Sequence, residues 1–177
     1  MRTAKYGVAL LLAAVLASGP VLPLPIASAA GQPQAISGVV SGNVQKVGFR
    51  AMILKQAVKY NLAGSARNTA EGTVQFTLQG DENRIDQAVM AIRDGTKRSS
   101  DVNVSTSPAK VDPNLDKFTV IAWTSASRNI TNPYDLVFHL RPNDETVSKK
   151  EAKEVWHEIL RSTIKGEDLD KLDDDDE

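Results

Sequence analysis

The sequence predicts an α+β fold, on three observations. Two segments, Phe49–Asn61 and Asp81 to about Asp94, carry apolar residues at helical spacing. Between them Thr73–Gln79 alternates polar and apolar residues with the period of two of a half-buried strand. Further strand-like runs bracket these elements at Ala35–Gly42 and Phe118–Trp123.

Taken in order, Gly31–Gln34 is a loose lead-in and Ala35–Gly42 the first strand. Ile36, Val39 and Val40 do not alternate cleanly, which predicts a central strand packed on one face and crowded on both sides. In the first helix Phe49, Ile53, Ala57 and Tyr60 recur on one stripe, widened by Met52 and Leu54. Asn61 or Gly64 is placed to take the left-handed conformation that ends it. Ser65–Asn68 and Thr73–Gln79 form a hairpin around Thr69-Ala70-Glu71-Gly72. Asp81 caps the second helix, whose core stripe is Ile85, Ala88, Val89 and Ile92. After a polar connection, Gly95–Ser100, Val102 and Val104 mark a short strand, and Pro108–Lys117, with two prolines, a long loop. The next strand sets Phe118, Val120 and Ala122 against Thr119, Ile121 and Trp123 on the other face. Two crossover helices over a mainly antiparallel sheet make the ferredoxin-like split βαβ sandwich.

The ends differ from this unit. Residues 1–29 read as an export signal: Arg2 and Lys5 form the positive start, Val8–Ala17 the apolar core and Ala27-Ser28-Ala29 the cleavage site. The core is shorter than the roughly 20 apolar residues a membrane helix needs, and Pro20, Pro23 and Pro25 break any longer helix. A periplasmic or secreted chain, with no membrane attachment after cleavage, is the expectation. It has no cysteine, which excludes disulfides, thiol catalysis and thiolate metal sites. Residues 30–124 form the main unit. Residues 125–147 read as a linker, polar over Ser125–Asn132, with an added edge strand at Tyr134–Leu140. Ser148-Lys149-Lys150-Glu151 is a capping box opening a helix, 148–165, with Ala152, Val155, Trp156, Ile159 and Leu160 on one face. Glu167–Glu177 holds eight acidic residues and one lysine, so 166–177 reads as a disordered acidic tail. That helix and tail are the expected surface for any protein partner.

The chemistry concentrates at the end of the first strand, where Gly42–Arg50 reads G-N-V-Q-K-V-G-F-R. A glycine-flanked loop between a strand and a helix leaves unpaired amides, with partial positive charge, facing an anion. Arg50 adds a planar fork of donors matched to two phosphate oxygens. A second block, Gly64-Ser65-Ala66-Arg67-Asn68-Thr69-Ala70-Glu71-Gly72-Thr73-Val74, follows the helix.

The first block resembles the substrate loop of the acylphosphatase family, G-x-V-Q-G-V-G-F-R, with Lys46 where the family has glycine. The second is similar to the family's G-W-V-R-N-x-x-D-G-x-V, with Ser65 in place of tryptophan. The resemblance covers about Ala35 to Trp123, weakens after Gly95, and implies the same sandwich. It implies hydrolysis of acyl phosphates, which are carboxyl-phosphate mixed anhydrides, to a carboxylate and inorganic phosphate, with phosphate as product and inhibitor. Arg50 would then bind the phosphoryl oxygens. Asn68 would hold the attacking water, and backbone amides of Val44, Gln45, Lys46, Val47, Gly48 and Phe49 would surround the phosphate. A glycine at position 46 often serves a positive φ, which costs a lysine about 1–2 kcal/mol.

Such a reaction needs no cofactor, because its leaving carboxylate departs without a proton donor. No metal is expected either: His139 and His157 are the sole histidines and neither has companions at ligand spacing. No phosphate-binding G-x-x-x-x-G-K-[ST] or dinucleotide G-x-G-x-x-G motif is present, and no dense basic stretch interleaved with aromatics points to nucleic acid. The alternative function is a non-catalytic exported anion-binding or interaction module on the same fold.

Overall fold

The computed structural model describes residues 31–172; the expected export signal and the last five acidic residues lie outside this range. The elements are β1 (Gln34–Asn43), α1 (Phe49–Tyr60), β2 (Ala63–Asn68), β3 (Val74–Gly80), α2 (Glu82–Asp94), β4 (Ser100–Pro108), β5 (Lys117–Ser125), β6 (Ile130–His139), α3 (Lys149–Thr163) and α4 (Glu167–Asp170). One six-stranded sheet has the order β4-β1-β3-β2-β5-β6. β2 and β5 pair in parallel, and the other neighbours pair antiparallel. The first four strands and α1 and α2 are the expected ferredoxin-like sandwich, with β4 longer than Val102 and Val104 indicated.

Helix α1 packs between α2 and α3, so all three cover one face of the sheet. This explains why α1 buries more than one stripe: Phe49, Ala51, Ile53, Leu54, Ala57 and Val58 are all buried, whereas Met52 and Tyr60 are half-buried. The narrower stripe of α2 is as expected, with Ile85, Ala88, Val89 and Ile92 buried and the Asp81 carboxylate accepting from the Arg84 amide at 3.1 Å. The opposite sheet face is open. The first strand is packed on one face and flanked on both sides, by β4 and β3, as expected: Val40 is fully buried and Val39 is 38% exposed. Among the described residues no layer covers that second face.

Two corrections concern the chain after Val120. The expected alternation continues only to Val120; Ala122 takes φ 51°, and the register against β6 slips between Val120 and Trp123. An extra residue in one strand is a β-bulge. It leaves Ala122 exposed and turns Trp123 into the core at 4% exposure. The side chain of Asp135 accepts the freed Ala122 amide at 2.8 Å. Nor is Ser125–Asn132 a linker. It holds the end of β5, a turn and the start of β6, whose Ile130, Leu136 and Phe138 are buried.

The C-terminal extension thus continues the sheet rather than hanging from it. Asn61 ends α1 in the left-handed conformation (φ 54°), whereas Gly64 sits inside β2. The buried Asn61 amide donates to Arg141 O (3.2 Å) and Asp144 Oδ1 (3.0 Å), and its carbonyl accepts from the Arg141 amide (2.8 Å). Arg141 Nη2 in turn donates to Val58 O at 2.7 Å. Helix α3 opens on the predicted capping box and buries Ala152, Trp156, Ile159 and Leu160. Its apolar stripe is therefore spent on α1 and β6 and is not a free face for a partner. The expected disorder does not begin at 166. Asp168, in α4, accepts from Lys171 Nζ (2.7 Å), Asn132 Nδ2 (2.8 Å) and the Tyr134 hydroxyl (2.9 Å). These bonds, that from Lys171 foremost, hold its carboxyl below the ordinary range.

If the extension is an integral layer, loosening it must loosen the whole chain. Leu160→Ala, at a site 2% exposed, is expected to cost about 2–5 kcal/mol. In urea the loss should register in one transition followed by both tryptophan fluorescence and circular dichroism. An early transition of the extension alone would contradict this.

Candidate active site

The cradle begins where β1 stops pairing. The register against β4 shifts between Ser41 and Asn43, and Gly42 turns there with φ 109°. A Cβ at Gly42 would run into the Asp101 carbonyl, so position 42 needs glycine for both space and torsion. The Val44 amide donates back to Gly42 O at 3.0 Å and is engaged, while the Val44 side chain is buried. Lys46 then takes φ 60°, the positive value suited to the family's glycine, and Gly48 takes φ 76° as the N-cap of α1. From Gln45 to Gly48 the backbone amides have no acceptor among the described residues. The next amides belong to the open first turn of α1, which has no side-chain cap.

Gln45 plays a part that its sequence position did not disclose. Expected among the phosphate-binding residues, it does not line the cleft, although Val44, Lys46, Val47, Gly48, Phe49 and Arg50 do. Its Nε2 instead donates to Thr69 O (2.9 Å) and Thr73 O (2.8 Å), across the turn of the β2–β3 hairpin. One side-chain amide thereby fixes the loop against the segment carrying Asn68. A second tie comes from Thr96, whose hydroxyl donates to Val47 O at 3.3 Å.

Arg50 is held from the far side. Its Nη1 donates to Ile121 O (2.9 Å) and Ala122 O (2.7 Å), the two carbonyls at the β5 bulge. Both Nη1 hydrogens are thus used, and Nε and Nη2 keep theirs for a ligand. Partial burial lowers the guanidinium pKa, yet arginine starts so high that it remains a cation. Asn68 ends β2 half-buried, with no hydrogen bond to its amide among the described residues. Arg50 and Asn68 line the same cleft, of about 1150 Å³. No signal in the sequence marked its other wall, which is made by Arg128, Lys149, Lys153, Trp156 and His157 of the extension. No group of side chains suited to hold a metal occurs among the described residues.

Together the fold and the cleft define an α+β protein that sets loop amides without acceptors and a partly tethered arginine on one cleft. The acylphosphatase family model matches residues 36–120. The acylphosphatase of Chlorobaculum tepidum is 39% identical over 83 residues, 47% of this chain and 90% of that one. The acylphosphatase of Colwellia psychrerythraea is 42% identical over 60 residues, 34% of this chain and 67% of its own. The solved structure of acylphosphatase from Bacillus subtilis aligns with 51% of this chain and 99% of its own, at 30% identity and a TM-score of 0.47. The chain belongs to the acylphosphatase family. Everything from Ile121 onward lies outside the family match.

Gln45 is tested by removing its amide. Gln45→Leu strands the Thr69 and Thr73 carbonyls and should cost about 1–3 kcal/mol of stability. It should also weaken inhibition by inorganic phosphate, because the cradle loses its tie. A variant of unchanged stability and unchanged phosphate inhibition would deny Gln45 this role.

Proposed function

We propose that Arg50 and Asn68 are the catalytic pair with which this acylphosphatase hydrolyses acyl phosphates. The observation that carries this reading is their placement on one cleft beside the free amides of residues 46–48. The phosphoryl group lies on those amides and on Nε and Nη2 of Arg50. The Asn68 carboxamide holds a water in line with the bond from phosphorus to the acyl oxygen. Water's oxygen bonds to phosphorus as that bond breaks. The electron pair leaves on the carboxylate, and the proton passes to a phosphate oxygen. Charge spreads over the equatorial oxygens in the transition state, so fixed donors and position are what the reaction requires.

Purified protein should consume benzoyl phosphate, followed by loss of its absorbance, with inorganic phosphate competing. Arg50→Ala and Asn68→Ala are each expected to lower turnover by about 10²–10³. The two should differ in binding: Arg50→Ala loses phosphate inhibition, and Asn68→Ala retains it, since Asn68 acts on the water. Turnover near the unmodified rate in either folded variant would remove that residue from the mechanism. Lys46→Gly should keep the loop path and hydrolyse benzoyl phosphate within about threefold of the parent, because glycine takes the same positive φ without strain. A much larger change would give the lysine side chain a role at the phosphate.

The same reading places the enzyme outside the cytoplasm. Its support is the positively charged start at Arg2 and Lys5, the apolar Val8–Ala17 and the small residues Ala27-Ser28-Ala29. Mass measurement of the protein recovered from an expressing bacterium's periplasm tests it, with loss of about the first 29 residues expected.

A further inference from the structure

The wall that the extension adds to the cleft is strongly basic. Arg128 lies in the turn between β5 and β6, and Lys149 and Lys153 lie one turn apart on α3. Across from them, half-buried on α1, is Lys55, with its ammonium 5.8 Å from the centre of the Trp156 ring. All four line the same cleft as Arg50 and Asn68. Among the described residues no carboxylate pairs with any of them. Among the described residues Asp94, at the end of α2, is the one acidic side chain on the cleft wall. The Nε of Arg128 is buried and has no hydrogen-bond partner among the described residues, whereas buried donors in folded proteins are almost always satisfied. Lys55 has its pKa lowered by burial first, and then by the charges of Lys153, Lys149 and Arg128.

Unpaired like charges around one space cost stability, and an anion placed among them relieves the repulsion. We propose that Lys55, Arg128, Lys149 and Lys153 form a second anion subsite, which receives a carboxylate or phosphate carried on the acyl portion of the substrate. The preferred substrates are then acyl phosphates with two anionic ends. The phosphoryl end lies on the loop between β1 and α1, and the far end lies against α3. The geometry of one continuous cleft supports this order, because the two groups of donors share it and Trp123 and Trp156 wall the space beside them. Those rings meet edge to face at 5.8 Å, so the apolar wall between the two charged ends is rigid. The inference rests on the hydrolase reading for its substrate class and goes beyond it in assigning a role to the residues outside the family match.

The test compares two acyl phosphates, succinyl phosphate with a free carboxylate and butyryl phosphate without one, on the full chain. The protein as it stands is expected to favour succinyl phosphate in kcat/KM by about tenfold, mainly through KM. The double substitution Lys149→Gln/Lys153→Gln, on exposed positions of α3, should bring the ratio of the two kcat/KM values close to one. General attraction between a basic cleft and any phosphate affects both substrates and cancels in that ratio. As a control, Lys97→Gln/Arg98→Gln removes the same charge from the α2 side of the cleft and should leave the ratio in place. Equal kcat/KM values in the parent, or a preference that survives the Lys149/Lys153 substitution, would overturn the subsite. If neither acyl phosphate turns over, the hydrolase reading fails instead. The subsite is then read by calorimetric binding of succinate: binding lost in the Lys149/Lys153 variant supports it, and undiminished or absent binding overturns it.

Discussion

The bond from the Arg50 guanidinium to the Ile121 and Ala122 carbonyls ties together what the sequence keeps far apart. It spans from the first turn of α1 to the bulge of β5. A long, flexible side chain loses little further entropy on binding a ligand if one of its nitrogens is already fixed. Two carbonyls on a single nitrogen achieve this while leaving the other donors open. The bulge that supplies those carbonyls also turns Trp123 inward, against Trp156 of α3. One backbone irregularity therefore aims the arginine and seats the extension.

A second constraint acts from the loop side. Gln45 spans from the loop to the hairpin turn directly after Asn68, so the loop amides and the Asn68 carboxamide are referred to one another by a pair of short hydrogen bonds. Catalysis by position depends on such supports, because a displacement of about 1 Å can cost two orders of magnitude. Gln45 serves the site without touching the cleft. Lys46, by contrast, occupies a positive φ at a cost that glycine avoids. The loop's path is kept although the residue best suited to it is absent, which indicates that its two ends and its ties to Thr69, Thr73 and Thr96 dictate that path.

The extension changes the character of a small enzyme fold. In the four-stranded sandwich β2 would be a sheet edge, and β5 covers it. Here β5 is itself covered by β6, and α3 closes the helical layer beside α1. The added mass buries Ile130, Leu136, Trp156 and Leu160 and leaves its cations facing the cleft. Apolar residues of the extension are buried and its cations line the cleft, a division that follows from which side of α3 meets α1.

Much of this was legible from the residues. The caps at Asp81 and Ser148, the stripe of α2, the left-handed stop at Asn61 and the strand Val74–Leu78 depend on neighbours within a turn or a strand, and local pattern reports them well. The paired blocks around Arg50 and Asn68 were legible because each is a short contiguous run that resembles the family pattern. Other features depend on partners distant in sequence. Val39 faces solvent because, among the described residues, no second layer covers the sheet. Ala122 breaks the alternation because β6 pairs across it and Asp135 takes its amide. Gln45 reaches a turn 24 and 28 residues away. Local pattern thus determined the elements and the loop Gly42–Arg50, and resemblance to the family singled out Arg50 and Asn68. Only tertiary structure decided that the last third of the chain joins the sheet and walls the cleft, since burial and charge convergence are properties of packed neighbours rather than of any one segment.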